Sequence, residues 1–232
     1  MKLIRKGYDF LFTHNWVAIF YFNFRMLPFQ QAVKLPFDFY HGIKFKNLSG
    51  EVVLCAEGGI RRGMVKIGAQ GSDMFAKGDV VIDLRGKLMV ADSVTIGLGT
   101  LVRVEKSGKI QIGNGVAIGA KSMLFCENSI IIGDNTITSW NCQIMDTDTH
   151  SIKDTHSLKS YERSKPVVIG ERCWIGNHVL INKGTVLPDD VIVAAYSLCN
   201  KDYISIINSF SIIGGIPAKL VSENKRMLGD KL

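Results

Sequence analysis

Proline is scarce, at 5 in 232 residues, and charged residues make up only 21% of the chain against 47% hydrophobic. That composition excludes a disordered chain and a collagen-like fibre. Long hydrophobic runs are missing as well. The apolar stretch Trp16-Val17-Ala18-Ile19-Phe20-Tyr21-Phe22-Asn23-Phe24 is bracketed by His14, Asn15 and Arg25 and is too short to span a bilayer. It ends without a small-residue cleavage site, so it does not read as a signal peptide. Cysteine is sparse and dispersed: Cys55, Cys126, Cys142, Cys173 and Cys199 form no C-x-x-C pair and have no metal-knuckle spacing. They read as small buried hydrophobes in a reducing compartment, which sets a cytoplasmic expectation, at or near the inner face of a membrane.

Glycine, by contrast, is abundant, at 23 residues, and Ile and Val together outnumber Leu more than two to one. β-branched residues favour strands, and interior glycine weakens helices. The class is therefore all-β, with many tight turns. The formal net charge is +7. The basic residues are spread out and accompany no nucleic-acid motif, so a nucleic-acid partner is not expected. Lys2, Arg5, Lys6, Arg25, Lys34, Lys44 and Lys46 surround a dense set of aromatics. Those aromatics either flank the core or give residues 10–30 a peripheral membrane contact.

Residues 1–48 are aromatic, basic and aperiodic, with room for a short helix around 13–24 before Pro28. From about residue 49 aliphatic residues recur every six positions, often followed by glycine. The runs are Val90, Ile96-Gly97, Val102; Ile112-Gly113, Ile118-Gly119, Leu124; Ile132-Gly133, Thr138, Ile144; and Ile169-Gly170, Ile175-Gly176, Ile181, Leu187, Val193. A second column two residues earlier carries Cys173, Val179, Thr185, Val191 and Ser197. Neither a helical period nor simple alternation produces two columns repeating at six. Each unit is a very short strand plus a turn, three units make one coil of about eighteen residues, and stacked coils bury what one coil cannot. This organisation predicts one coiled β domain over 49–222, an N-terminal extension over 1–48 and a short tail over 223–232. The hexads break over 145–168, a polar stretch holding His150 and His156. A long departure from a regular scaffold is where functional groups collect.

These hexads resemble the left-handed parallel β-helix of the hexapeptide-repeat acyltransferases. Pro166–Asn177, with Cys173-Trp174-Ile175-Gly176, is similar to the Trp-Ile-Gly coil of the galactoside, maltose and polysaccharide O-acetyltransferases. Asn200-Lys201-Asp202 resembles that branch's Thr-Lys-Asp, and Gly215-Ile216-Pro217-Ala218-Lys219 resembles its closing Gly-Asn-Pro-Ala-Lys. The resemblance covers residues 50–222 loosely and 130–220 closely. It implies a homotrimer that transfers an acetyl group from acetyl-CoA to a hydroxyl or amine, with no metal required. It also implies an essential histidine in the loop before the Trp-Ile-Gly coil, which here is His150.

Acyl transfer from a thioester to a hydroxyl needs a base that can take the proton and return it to the leaving thiolate, and histidine titrates in the right range. Asp148 joins His150 in the catalytic set. Asp146, Trp140 and Asn141 form the acceptor set. The resemblance places coenzyme A along Trp174, Gly176, Ala194 and Ala195, with Lys183, Lys201 and Lys219 for its phosphates. His150, His156 and His178 do not match the spacing of the zinc-binding γ-class carbonic anhydrases, which share this helix. The chain departs from the branch at Val193-Ala194-Ala195-Tyr196, which replaces a glycine-bearing turn, and in a longer loop over 203–213. The leading expectation is an O-acetyltransferase for a sugar, of the surface-polysaccharide or lipopolysaccharide kind implied by the resemblance. N-acetylation of a nucleotide-linked amino sugar and a non-enzymatic β-helix scaffold stand as alternatives.

Overall fold

The hexad columns stack as three parallel sheets that form the faces of a left-handed β-helix. The structure is a computed structural model that describes residues 13–40, 42–69, 75 and 78–228. On one face Phe39, Ile67, Ile96 and Ile118 stand in register, with Ile175, Val193 and Ile213 continuing the column beyond Thr138. A second face stacks Phe45, Ile82, Val102, Leu124, Ile144, Ile181 and Cys199. The third stacks Leu54, Val90, Ile112, Ile132, Ile169 and Leu187. Each of the first three runs of hexads is thus one turn of the coil, and the last, from Ile169 to Val193, is nearly two. Most of these side chains are fully buried, and each contributes roughly 1.5–3 kcal/mol by leaving water. The preceding column, Cys173, Val179, Thr185, Val191 and Ser197, is buried beside them.

The Ile-Gly glycines are required by close approach. A Cβ on Gly119 would lie 2.2 Å from the Ser139 carbonyl oxygen, and one on Gly176 would lie 2.6 Å from the Ala195 nitrogen. The left-handed backbone positions fall two residues further on, at Lys121, Asn141, His178 and Tyr196, with φ between 56° and 58°. Stacking, not an unusual dihedral, selects glycine there.

The helix begins earlier than residue 49. Phe37–Phe39 pairs with Val65–Ala69, and Ile43–Leu48 pairs with Val80–Leu84, so both strands are first rungs of their sheets. The aromatics in these strands conceal the hexad pattern because they form a cap. Helix α1, Trp16–Met26, is capped by Asn15, whose Oδ1 accepts the Ala18 N–H at 3.0 Å. It turns Ile19 and Phe22 inward, and the Phe22 ring lies 4.9, 5.1 and 5.6 Å from those of Phe37, Phe39 and Phe45. Buried Asn23 locks the cap to the first rung through hydrogen bonds with the Phe37 carbonyl and N–H. A short second helix, α2, spans Phe29–Ala32. Residues 1–12, with Lys2, Arg5 and Lys6, and tail residues 229–232 lie outside the described residues.

Four cysteines are buried as expected, and burial pushes the thiols of Cys142 and Cys173 up to about 11. Cys55 corrects that expectation: it is exposed. Among the described residues no helix is long and apolar enough to cross a membrane.

Candidate active site

The departure from the scaffold is an antiparallel ribbon. The chain leaves after Gln143–Met145 and rejoins at Val167–Ile169. Between them Thr147 bridges Ser164, and Ile152–Lys153 pairs with Ser160–Tyr161. The tip is closed by Asp154, whose Oδ1 accepts the N–H groups of His156 and Ser157. His156 therefore sits at an exposed turn, remote in the ribbon from His150.

A chain of contacts anchors the ribbon base to the coil below it. Arg163 forms a two-pronged ion pair with Glu127, and Glu127 Oε2 accepts the Thr147 hydroxyl at 2.7 Å. Thr147 Oγ1 in turn accepts the Thr149 N–H at 2.9 Å. Burial disfavours ionised Glu127, but the hydrogen bonds from Arg163 and Thr147 and the charges of Arg163 and Arg103 outweigh it. Its carboxyl is held below the usual carboxylate range. These contacts fix Thr149 at φ 63°, a left-handed conformation that a β-branched residue rarely adopts.

His150 follows directly, with its side chain in solvent. Thr149 Oγ1 lies 2.6 Å from the Asp148 carbonyl oxygen and 2.9 Å from His150 Nδ1. A hydroxyl has one hydrogen to give. With that hydrogen donated to the carbonyl, Thr149 Oγ1 can only accept from Nδ1–H. This arrangement assigns the imidazole hydrogen to Nδ1 and leaves the lone pair on Nε2. The residue that orients His150 is thus Thr149, whose role has no signal in the sequence.

The two aspartates have other partners. Asp146, expected to touch the acceptor, is fully buried. Its Oδ1 accepts the Glu127 N–H at 2.8 Å, and its Oδ2 accepts the Asn128 N–H at 2.7 Å and the Cys126 thiol at 3.3 Å. It seals the point where the ribbon leaves the coil and is unavailable to substrate. Burial, and then the Asp146 charge, push the Cys126 thiol far above its usual range, so it stays protonated as a donor. Asp148 pairs with Lys183 through Oδ2 and Nζ at 2.5 Å, and its carboxylate forms no hydrogen bond or ion pair with the His150 ring. Lys183 also donates to the Glu162 carbonyl oxygen, which ties the ribbon's two sides to the scaffold.

The remaining positions fall into two groups. At one corner Asn141 Nδ2 lies 3.1 Å from His178 Nε2, and the His178 ring stacks on Tyr196 at 4.5 Å. Trp140 occupies the same corner, half-buried, 6.1 Å from Phe75. Gly176 packs against Ala195, and Ala194 lies against Gly214. Trp174 is 41% exposed, with Nε1 donating to Ser139 Oγ at 3.3 Å. Elsewhere Lys183 and Lys201 line one cleft of about 390 Å³ together with Lys165 and Asn200. Lys219 is on the closing strand Lys219–Ser222 and does not line that cleft. A second cleft, of about 760 Å³, runs beside the ribbon base between Thr149, Arg163, Phe125, Glu127, Arg103 and Lys106. Among the described residues no group of three His, Cys, Asp or Glu could hold a metal ion.

Parallel triangular coils interrupted by one ribbon define the class of protein: a left-handed β-helix. No protein-family model matches the chain. It is 26% identical over 117 residues to the galactoside O-acetyltransferase of Escherichia coli strain K12, covering 49% of this chain and 54% of that one. It is 30% identical over 147 residues to a 24.8 kDa protein in the cps region of Klebsiella pneumoniae, covering 62% and 61%. The chain thus spans little more than half the length of these relatives. Among solved structures, the polysialic acid O-acetyltransferase OatWY aligns with a TM-score of 0.61 at 21% identity, over 83% of this chain and 93% of that one. The likeness is at the level of family, to hexapeptide-repeat acetyltransferases such as the galactoside and polysialic acid O-acetyltransferases.

Proposed function

We propose that the chain is an acetyltransferase that uses acetyl-CoA to acetylate a saccharide hydroxyl, with His150 as general base. The observation that carries this reading is Thr149, which lines the 760 Å³ cleft and lies 2.9 Å from the Nδ1 of exposed His150, a residue that does not itself line the cleft. Cavities of this size suit a small ligand, and this one offers ionic and hydrogen-bonding groups for a hydroxylated acceptor. The names of the relatives, a galactoside and a polysialic acid O-acetyltransferase, support a sugar acceptor.

Acetyl-CoA supplies an activated acetyl thioester. The residues that would hold it are Lys165, Lys183 and Lys201, three cations in a cleft shared with Glu162 and Asp202, and the small Gly176 and Ala195, which are flanked by exposed Trp174 and Tyr196. Lys183 already holds Asp148, so Lys201 is the better phosphate partner. His150 Nε2 accepts the acceptor hydroxyl's proton as its oxygen attacks the acetyl carbon. The same nitrogen returns the proton to the departing thiolate, so the histidine ends as it began. Backbone N–H groups at a coil corner stabilise the oxyanion between these steps. Asp148 serves by fixing Lys183 and the ribbon, a positioning role. A homotrimer, with each site completed by a neighbouring chain, belongs to the same proposal.

The test is acetyl-CoA turnover against a panel of free and lipid-linked saccharides and nucleotide-linked amino sugars. Turnover with hydroxyl acceptors is expected. Turnover confined to amino sugars would replace this reading with N-acetylation, and failure to bind acetyl-CoA would leave only a scaffold.

A further inference from the structure

The N-terminal cap has an outer face that the mechanism does not use. Helix α1 buries Ala18, Ile19, Phe22 and Asn23 and exposes Val17, Phe20, Tyr21 and Phe24, positions i, i+3, i+4 and i+7. Their exposures are 82%, 49%, 53% and 46%. The patch extends through Phe24, whose ring lies 6.1 Å from Phe29, and ends at exposed Val33. A contiguous apolar face of this kind on the surface marks a contact.

Its surroundings carry one sign of charge. Between residues 13 and 48 the basic side chains are Arg25, Lys34, Lys44 and Lys46, all exposed. The single acid, Asp38, is buried 3.2 Å from His14. Lys44 pairs with Asp79, while Arg25 adjoins Phe24 and Lys34 adjoins Val33. Aromatics flanked by exposed Arg25 and Lys34, in a segment (residues 13–48) whose one acid is buried, complement an anionic lipid surface, where rings settle at headgroup depth and cations meet phosphates. At eleven residues the helix can lie on such a surface and cannot span it.

We propose that the Val17–Phe24 face of α1, with Phe29, Val33, Arg25 and Lys34, docks the protein on an anionic membrane. Docking uses the face opposite the cap's buried one, so it needs no rearrangement of the coil. It is independent of the acetyl-transfer reading.

The test is co-sedimentation of the full chain with vesicles of phosphatidylcholine alone and of phosphatidylcholine mixed with phosphatidylglycerol. Binding to the mixed vesicles, weakened by salt, is expected. Arg25→Gln and Lys34→Gln should each lower that binding about fivefold. Phe20→Ser with Phe24→Ser should abolish it and lower the thermal midpoint by only a few degrees, since each ring is about half exposed. Absence of binding, equal binding to both vesicle types, or binding retained in the serine variant would overturn the proposal. So would a change of oligomeric state in that variant, which would assign the face to a second copy of the chain.

Discussion

Replacing Asp146 separates two accounts of the same residue. If it grips the acceptor, its loss raises KM and spares the fold. The structure instead gives its carboxylate two backbone N–H groups, at 2.8 and 2.7 Å, and no exposure to solvent. Hydrogen bonds to a charged acceptor are worth roughly 1.5–3 kcal/mol each, and a buried donor left without a partner keeps its desolvation penalty. Asp146→Ala should therefore cost about 3–6 kcal/mol. For a chain of this size, 1 kcal/mol lowers the midpoint by about 2–4 °C, so the expected fall is roughly 6–24 °C.

Asp146→Asn sharpens the comparison. Its amide keeps one oxygen for one N–H and turns its own N–H₂ toward the other, so about half the loss, roughly 1.5–3 kcal/mol, should remain. Thermal and urea unfolding measure both variants. An unchanged midpoint together with a raised acceptor KM would refute the reasoning and return Asp146 to the acceptor set.

Thr149→Ala removes the hydroxyl that orients His150 and should lower kcat roughly three- to tenfold, measured at saturating substrates. Glu127 has a depressed carboxyl, so its stabilising effect is fully present above the ordinary carboxylate range and is lost as pH falls through its lower folded value. Limited proteolysis of residues 146–166 should accelerate on acidification below that range, and Arg163→Gln should make the ribbon labile already at neutral pH. Gly119→Ala forces a Cβ to 2.2 Å from a backbone oxygen and should destabilise by about 3 kcal/mol or more, read as a fall in the unfolding midpoint.

The coils were legible because a stacked hexad repeats the same burial every six residues, and no other regular structure does so. Ile112, Ile132 and Ile169 are separated unevenly in sequence, yet they stand in one column because the extra residues bulge between coils. The first rung was hidden. Phe37, Phe39 and Phe45 answer to α1 as well as to the next coil, and aromatic packing replaces the Ile-Gly signature there. His150 was legible as a candidate through its place in the interruption together with the family resemblance. Its supports were not, because Glu127 lies twenty residues before Thr147 and only the coil brings them together. Asp146 did carry a signal. Strand alternation from buried Ile144 past Met145 points the next side chain inward, and an inward acid at a strand end needs N–H partners.

His150 is exposed and supports no packing, so His150→Ala should leave the unfolding midpoint unchanged. The most direct measurement is kcat/KM for acetyl transfer from acetyl-CoA to a saccharide acceptor, wild type against this variant. Loss of a general base predicts a fall of roughly 10²–10⁴-fold. A variant within about twofold of wild type would contradict the account.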